Sequence, residues 1–464
     1  MGLALLIDFG STNTKLRAID LDTEEVVGST QATSTVGTDI TIGFEVAFAE
    51  LKQQLDVKHP HFEHKLACSS AAGGLRMVAI GLVPELTAEA ARQAALGAGA
   101  NVTRVFSHEL SKRELDELQQ IAPDMILLAG GTDGGNKEVI LHNARQLASI
   151  PTRCPIVVAG NKAASDAVGE ILQQIGNSVR LVDNVLPEVN VLNVEPAREA
   201  IREVFVKHII RAKGLERATD LVDEVIMPTP MATLGAANLL ATGAGDEPGL
   251  GDLVVIEVGG ATTNVHSIGS GAPSRPDLVP QGLPEPYAKR TVEGDLGIRF
   301  NAHRILMIAG QQRMRDNIPF PCFNLDLEMA VRALSEQVSR IPASEEEYAL
   351  DVGLARTAAD MAMERHAGVV EPFYTPDGTV TILRGKDLTA FKTVIGTGGI
   401  FSYGKEPRMI LEAGQFRADR PFSLRSRSPA FFADEAYIMY AIGLLNTIAP
   451  DKALRILKKS LRPV

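Results

Sequence analysis

The chain has 464 residues, 45% hydrophobic and 22% charged, which is enough for two or three domains with their own cores. A formal net charge of −11 opposes a nucleic-acid partner, and no stretch approaches the roughly 20 apolar residues that span a bilayer. Cys68, Cys154 and Cys322 are too scattered for a disulfide framework or a CxxC site, and we expect small buried side chains. The apolar start is too short for a secretory signal. We therefore expect a soluble, cytoplasmic protein that binds neither membrane nor nucleic acid.

The first predicted element is a strand that ends in a polar turn. An apolar run from Leu3 to Ile7 is followed by Asp8-Phe9-Gly10-Ser11-Thr12-Asn13-Thr14-Lys15, and a second strand-like run begins at Leu16. Gly10 permits a tight turn, the hydroxyl groups offer donors, and Lys15 adds a positive charge. A nucleotide phosphate would suit this turn, with Asp8 holding its Mg²⁺ directly or through water. The alternative is an ordinary polar hairpin.

A helix is predicted next, from Phe44 to Leu55, and strand-like runs then alternate with amphipathic helices from Leu66 to about Val194. This alternation predicts a separate doubly wound α/β domain with a parallel sheet. Within it, Ala129-Gly130-Gly131-Thr132-Asp133-Gly134-Gly135-Asn136 lies between a strand and a helix, where parallel sheets present ligands. A tight turn without a ligand is the alternative.

Helices are predicted from 195 to 214 and, broken by Pro228 and Pro230, from 220 to 243; the opening pattern then returns. The run from Leu253 to Ile256 leads into Glu257-Val258-Gly259-Gly260-Ala261-Thr262-Thr263 and a second strand-like run. Both copies have the order strand, carboxylate, Gly, Ser/Thr, strand. We infer an internal duplication whose two hairpins hold one polyphosphate from both sides; the alternative is a coincidence between two turns.

A third Gly-rich turn follows a predicted strand at 393–401. Gly396, Gly398 and Gly399 would let the backbone approach a flat ligand such as adenosine. Helices are predicted at 295–310, 326–341, 345–367 and 429–445.

This ordered set resembles the actin-like ATPase superfamily of actin, sugar kinases and heat-shock chaperones. The resemblance implies an α/β fold with two duplicated ribonuclease-H-like lobes and an inserted doubly wound domain. Residues 1–65 would form the first lobe, 66–194 the insertion and 195–464 the remaining core. Residues 227–239 and 434–445 resemble the two helices that connect the lobes.

The resemblance also implies ATP and Mg²⁺ as ligands. Asp8 and Glu257 would be the catalytic and metal-binding carboxylates. The nucleotide-binding residues would be Gly10, Ser11, Thr12, Asn13, Thr14, Lys15, Gly259, Gly260, Ala261, Thr262, Thr263, Gly396, Gly398 and Gly399.

Two positions depart from the superfamily pattern. Glu257 stands where Asp is usual, and Thr229 stands where the chaperones carry a Glu that positions water. A neutral hydroxyl is a poor general base. Three outcomes stay open: hydrolysis is slow, Asp8 or Glu257 orients the water, or ATP binding alone is the switch.

More closely, the sequence resembles the MutL (GlmL) family of accessory proteins of glutamate (methylaspartate) mutase and related adenosylcobalamin aminomutases. The segments that carry this resemblance are LLIDFGSTNTKLRAID, ILLAGGTDGGN, MPTPMATLGAANLLA and VIEVGGATTNVHSI. By similarity to diol dehydratase reactivases, such a protein would use ATP to release damaged cobalamin from mutase subunits. The inserted domain would imitate the cobalamin-binding subunit and displace it, although it lacks that subunit's DxHxxG signature.

Other functions stay in view. A small-metabolite kinase shares the core fold but needs a carboxylate base that we do not find, and a non-enzymatic nucleotide-switched scaffold is the third class. Iron–sulfur activators need closely spaced cysteines and are excluded. Lys15 is expected to contact phosphate, His266 to be structural, and the basic run 420–427 to be a solvated surface. The sequence does not indicate the oligomeric state.

Overall fold

The computed structural model describes residues 2–35, 39–70, 75–151, 154–174, 176, 178–209, 222–319, 325–376 and 378–464. The chain forms two compact units. Unit 1 comprises Met1–Gly235, Gly282–Pro286 and Tyr440–Lys452, and unit 2 comprises Ala236–Gln281, Tyr287–Met439 and Ala453–Val464. Cys322 lies outside the described residues.

The strands of unit 1 are β1 (Leu3–Phe9), β2 (Asn13–Asp20), β3 (Glu25–Thr33), β4 (His64–Ser69), β5 (Arg76–Gly81), β6 (Asn101–Ser107), β7 (Met125–Leu128), β8 (Ile156–Val158), β9 (Val179–Leu181) and β10 (Glu224–Pro228). Those of unit 2 are β11 (Gly243–Ala244), β12 (Glu247–Pro248), β13 (Leu253–Val258), β14 (Thr263–Ile268), β15 (Leu278–Gln281), β16 (Ala288–Glu293), β17 (Val369–Thr375), β18 (Gly378–Arg384), β19 (Thr393–Thr397), β20 (Ala430–Asp434) and β21 (Leu461–Pro463).

The α-helices are α1 (Ile40–Gln54), α2 (Glu89–Gly97), α3 (Lys112–Ile121), α4 (Glu138–Ala148), α5 (Lys162–Gln173), α6 (Glu195–Val204), α7 (Thr229–Thr242), α8 (Ala302–Asn317), α9 (Leu327–Glu336), α10 (Glu345–His366), α11 (Gly399–Tyr403), α12 (Pro407–Ala413), α13 (Met439–Leu445) and α14 (Pro450–Ser460). Single π-helical turns occur at Pro84–Ala88 and Phe205–Ile209. Local signals place several helix starts: Ser111 and Glu114 form a capping box on α3, and Asp39 caps α1. Within the described parts of the chain, no helix is long and apolar enough to cross a membrane.

The first sheet of unit 1 has the order β10-β4-β1-β2-β3. Strands β1, β2 and β3 pair antiparallel, whereas β4 lies parallel to β1 and β10 parallel to β4. The larger sheet of unit 2 repeats this plan as β16-β14-β13-β19-β20, with β21 added at the edge. There β16, β14 and β13 are antiparallel and β13, β19 and β20 parallel. This is the duplicated ribonuclease-H-like arrangement of the actin-like ATPase fold, as the sequence predicted.

The second sheet of unit 1 is fully parallel, in the order β6-β5-β7-β8-β9. This is the doubly wound order 2-1-3-4-5, in which ligands bind at the switch point between the first and third strands. Ile126 and Leu128 face one core and Met125 and Leu127 the other, so the strands read as continuous apolar runs. The predicted doubly wound parallel sheet is therefore present.

The structure corrects the start of this domain. We placed residues 66–69 in it, but they belong to β4, which pairs with β1 in the first sheet. The parallel sheet begins at Arg76. Both runs are short and apolar, and β4 is buried from Leu66 onward, so composition alone does not assign them to different sheets. One hydrophobic core contains residues of both sheets, including Leu5, Ile7, Met77 and Ala79.

Two predicted helices begin instead as strands. Residues 224–228 form β10 and residues 430–434 form β20, each at the same place in its sheet. In both cases a strand of five residues runs almost directly into a connecting helix, so one apolar stretch covers both elements. The predicted helix at 195–214 is confirmed from Glu195 to Val204, and residues 210–221 lie outside the described part. The helix predicted at 295–310 instead spans Ala302–Asn317, with a kink at Gly310.

Candidate functional site

The first hairpin joins β1 and β2 and holds the predicted metal-binding carboxylate. Asp8 lies opposite Lys15 in the strand register, and the Lys15 ammonium is 2.7 Å from Oδ2 of Asp8. The Thr229 hydroxyl donates to Oδ1 at 2.6 Å. Both carboxylate oxygens of Asp8 therefore have a hydrogen-bond partner. The Asp8 residue is only 1% exposed, so water has little access to these bonds. Burial and the neighbouring Asp8 charge raise the pKa of the adjacent Cys68 thiol, which therefore stays protonated.

The loop of this hairpin depends on close backbone contact. The amide of Gly10 donates to the carbonyl of Asn13 at 3.1 Å, and a Cβ on Gly10 would lie 2.6 Å from that oxygen. Among the described residues, no hydrogen-bond partner faces the backbone N–H of Ser11 or Thr12. Such unpaired amides at a loop tip are the donors that an anionic oxygen requires.

The second hairpin joins β13 and β14 and has the same geometry. Gly259 donates to the carbonyl of Thr262 at 2.9 Å, and Glu257 lies opposite Asn264 as Asp8 lies opposite Lys15. The carbonyls of this loop accept from the segment after β16: Gly259 from Ile298, and Gly260 from Arg299 and Phe300. The backbone N–H groups of residues 260–262 have no partner within the described ranges. This loop therefore also offers a row of amide donors.

Glu257 has neutral and cationic neighbours. The amide of Asn264 donates to its Oε2 at 2.9 Å, and the ring of His266 is 3.6 Å away. Burial acts to raise the pKa of the Glu257 carboxyl, but His266, Arg290 and Asn264 outweigh it and hold the pKa below its usual value. Burial lowers the pKa of His266, so the imidazole is neutral near pH 7, and lowers that of Arg290 to about 10, so it stays charged.

The predicted adenosine motif lies beside the second hairpin. Its strand β19 is parallel to β13, with Thr397 opposite Glu257. Gly398 has φ +111°, and a Cβ there would be 2.3 Å from the carbonyl of Val258. At Gly396 a Cβ would clash with the ring of Phe401. Gly399 opens α11, so all three predicted glycines form one closely packed strand-to-helix turn.

The predicted site residues thus fall into two groups. Asp8 and residues 10–15 lie on one hairpin of unit 1; Glu257, residues 259–263 and the three glycines of the adenosine motif lie together in unit 2. Thr14 and Thr263 are fully buried, and the Thr263 hydroxyl donates to the carbonyl of Leu296 at 2.7 Å, so these side chains support the loops from beneath.

Sequence reasoning missed several partners. It considered Thr229 only as a missing base, whereas the structure places its hydroxyl on Asp8. It did not single out Tyr440, whose ring centroid is 5.6 Å from the Lys15 ammonium, or Asn264 beside Glu257. When the two hairpins are aligned residue by residue, Asn264 falls at the position equivalent to Lys15. This alignment would have identified Asn264 as a neighbour of Glu257. The expectation of a solvated run at 420–427 is wrong for Arg425, which is buried and donates to Asp360 at 2.7 Å.

The Gly-rich loop 129–136 follows β7 at the switch point of the parallel sheet and is braced by two buried amides. The Asn161 side chain donates to the carbonyls of Gly135 and Asn136 and accepts from Gly134. Asn184 donates to the carbonyl of Gly131 and to Asp133. These side chains thus hold the Gly-rich loop in place at the edge where a doubly wound sheet binds its ligand.

No group of three or more His, Cys, Asp or Glu side chains able to hold a metal occurs among the residues that the structure describes. Each hairpin supplies one carboxylate beside amide donors. This donor set suits a hard cation that arrives together with phosphate oxygens and keeps several waters. Asp8 and Glu257 are therefore chemically suited to Mg²⁺ brought in by a nucleotide.

Comparison with known proteins identifies the family. The family model for the MutL protein matches residues 4–461. The chain belongs to the MutL family. A curated relative, protein MutL from Clostridium tetanomorphum, is 49% identical over 462 residues, covering 99% of each chain. The resemblance found in the sequence is thus confirmed over nearly the whole length.

Solved structures are more distant. Ethanolamine utilization protein EutJ from Carboxydothermus hydrogenoformans is 10% identical with a TM-score of 0.30, covering 98% of this chain and 90% of that one. Xylulose kinase from Lactobacillus acidophilus is 10% identical with a TM-score of 0.35, covering 100% and 93%. The fold assignment rests on the strand order of the two duplicated sheets.

Proposed function

We propose that this chain is an ATP-dependent reactivating factor for an adenosylcobalamin-dependent aminomutase such as glutamate mutase, exchanging damaged cobalamin for intact cofactor. The observation that carries the proposal is membership in the MutL family over residues 4–461. The sequence resemblance connects this family to glutamate mutase as its accessory protein. The partners would be the mutase subunits.

The two hairpins support a role for ATP. The unpaired backbone N–H groups of Ser11 and Thr12, and of residues 260–262, would donate to phosphate oxygens. Lys15 would contribute positive charge, and Gly396, Gly398 and Gly399 would let the backbone approach the adenosine. Asp8 and Glu257 would hold Mg²⁺, which when bound neutralises phosphate charge. Asn264 and His266 would keep the longer Glu257 side chain in place.

The same contacts favour slow hydrolysis. The Thr229 hydroxyl uses its proton in the bond to Asp8, and a neutral hydroxyl is a poor base. Asp8 itself is engaged by Thr229 and Lys15, which leaves Glu257 as the more accessible carboxylate, with a side chain 16% exposed. We therefore propose that ATP acts first as a ligand that changes the protein's conformation and that hydrolysis follows slowly.

The parallel sheet supports displacement of the cobalamin-binding subunit. Its strand order is doubly wound, as the family resemblance implies for the cobalamin-binding subunit of the mutase, and Asn161 and Asn184 brace the loop at its switch point. A domain of that shape that does not bind a corrinoid would compete for the same mutase surface. The exposed edge beside the Gly-rich loop includes Val189 and Val191, 63% and 46% exposed.

The decisive experiment mixes the protein with cyanocobalamin-inhibited glutamate mutase, free adenosylcobalamin and MgATP, and measures recovered mutase activity. Recovery is expected with MgATP and not without it. In the control, the Asp8→Asn variant of this chain replaces the wild-type chain in the mixture with the mutase. No ATP-dependent recovery with any aminomutase would contradict the proposed function.

A second experiment tests the displacement step. Because the two sheets of unit 1 share a core, a surface change is preferable to deleting the domain. Val191→Glu should abolish mutase binding while nucleotide binding persists. Val57→Glu, at a valine 45% exposed elsewhere in unit 1, is the matched control. Equal mutase binding by both variants would count against displacement through this edge.

A further inference from the structure

The Asp8–Lys15 ion pair is linked to both helices that connect the units. Asp8 accepts a hydrogen bond from Thr229, the first residue of α7. Lys15 lies 5.6 Å from the ring of Tyr440, in the first turn of α13, which is a cation–π distance. Asp8, Thr229 and Tyr440 are 1%, 7% and 3% exposed, so water screens these contacts little.

The two helices also touch each other. A Cβ on Gly443 of α13 would lie 1.9 Å from the carbonyl oxygen of Ala232 on α7, so the backbones cross in direct contact. Both residues belong to unit 1, and α7 continues along the chain into unit 2, whereas α13 enters from it. A change at the ion pair therefore reaches two crossing helices through one hydrogen bond and one ring contact.

Lys15 contacts Asp8 where a bound cation would, and Asp8 contacts Lys15 where a bound phosphate would. The Lys15 ammonium lies on the carboxylate oxygen that a cation would use, and the Asp8 carboxylate supplies the negative charge that a phosphate would bring. A magnesium nucleotide carries both charges and so competes for both residues at once. A ligand shifts an equilibrium only through such a difference in affinity between two states.

We propose that the Asp8–Lys15 pair is an internal substitute for the magnesium nucleotide: nucleotide binding separates the pair, and Thr229 and Tyr440 are positioning residues that pass the change to α7 and α13. This inference rests on the proposed nucleotide binding and adds the contacts through which it acts. Thr229, in the place of the chaperone Glu, thus positions a carboxylate rather than a water.

The test measures amide hydrogen exchange of a peptide covering α7 in the full-length protein, with and without Mg²⁺ and β,γ-imido ATP. In the wild type, nucleotide should speed exchange in α7 about fivefold, the effect of losing one hydrogen bond. In the Thr229→Val variant, the amides of α7 should exchange fast already without nucleotide, and added nucleotide should not change their exchange rate further. Thr229→Ser, which keeps the donor, should restore the wild-type response.

Thr233→Val is the matched control. Thr233 is buried one turn further along α7, and its hydroxyl donates to the carbonyl of Thr229 within the helix. Whatever its basal exchange, α7 of this variant should still exchange faster when nucleotide binds, as in the wild type. Tyr440→Leu should likewise speed exchange in α13, whereas Tyr440→Phe keeps the ring and should not.

The outcomes separate the two proposals. If calorimetry shows that the wild type binds no magnesium nucleotide, the proposed function fails and this inference fails with it. If nucleotide binds but α7 does not respond, or if Thr229→Val and Thr233→Val behave alike, the inference alone is overturned.

Discussion

The two hairpins share a backbone and differ in charge. Both close with a Gly amide on the carbonyl three residues later, and both place a carboxylate opposite a residue in the first three positions of the returning strand. In the first hairpin the carboxylate faces Lys15; in the second it faces the neutral Asn264. The duplicated loop thus offers backbone amides twice, but a lysine faces the carboxylate in only one of the two copies. The two copies share the backbone geometry of the loop, and the charge of the side chain that faces the carboxylate distinguishes them.

The largest expected effect is the loss of nucleotide affinity when the carboxylate of the first hairpin, Asp8, is replaced. Asp8→Asn should weaken Mg²⁺-dependent nucleotide binding about 100-fold, or about 2.7 kcal/mol, because it removes the buried negative charge that would hold Mg²⁺. Calorimetric titration with and without Mg²⁺ measures this. Asp20→Asn, a buried turn carboxylate at the far end of β2, is the control. Equal nucleotide affinity in wild type and Asp8→Asn would contradict the assignment of Asp8.

A second prediction compares the two turns. Gly10→Ala brings a Cβ to 2.6 Å from a backbone oxygen, whereas Gly259→Ala brings one only to 3.0 Å. Gly10→Ala should therefore cost about 2 kcal/mol of local stability and Gly259→Ala about 0.5 kcal/mol. Hydrogen exchange in β1–β2 and β13–β14 reports each hairpin separately, which a single global transition does not. A larger loss of stability for Gly259→Ala than for Gly10→Ala would contradict this prediction and show that the first loop relaxes around the added Cβ.

The third prediction concerns Glu257. Glu257→Gln should weaken nucleotide binding about tenfold, less than Asp8→Asn, because Glu257 is partly exposed and its amide partner is neutral. Glu293→Gln, a buried carboxylate of the same sheet bound to Arg365, should leave the affinity unchanged. An effect of Glu257→Gln equal to that of Asp8→Asn would remove the distinction between the hairpins.

The smallest expected effect depends on pH and concerns the second hairpin. Burial, with Lys289 and Lys386 nearby, holds the pKa of His366 well below its usual value, and its ring bonds to Ser267 on β14. The unfolded chain takes up a proton below about pH 6.5 and the folded chain does not, so stability falls as pH falls. The loss from pH 7 to pH 6 is about 0.7 kcal/mol.

Hydrogen exchange in β14 against β2 measures this difference. The first hairpin has Arg17, and not a histidine, at the position equivalent to His266. His366→Gln should reduce the pH dependence of the second hairpin, and the part that remains would come from His266, whose pKa burial also lowers. An unchanged pH dependence in that variant would assign the effect to His266 or another group.

Much of this architecture follows from local sequence. The loops Gly10–Asn13 and Gly259–Thr262 were predicted because Gly and hydroxyl residues interrupt apolar strands, and the parallel sheet because short apolar runs alternate with helices. Strands β10 and β20 were missed because each is five residues long and continues into an apolar helix. Length and periodicity do not separate such strands from helices.

The contacts of the site are a different matter. Thr229 reaches Asp8 across 221 residues, and Tyr440 reaches Lys15 from near the other end of the chain. Such pairs depend on how β1, β4 and β10 are ordered in the sheet, which the sequence predicted only as a fold family. The residue types of the site were therefore predictable, whereas the partners that hold them were not.

The amides that brace the loop at the switch point of the parallel sheet have an optical consequence. Asn161 and Asn184 are buried and donate hydrogen bonds to the Gly-rich loop, and we expect that a corrinoid does not bind there. The purified chain should stay colourless after incubation with cobalamin and desalting. In a mixture with a mutase, all visible absorbance would then come from the mutase and from free cofactor, and the exchange of one for the other could be followed directly by eye or spectrophotometer.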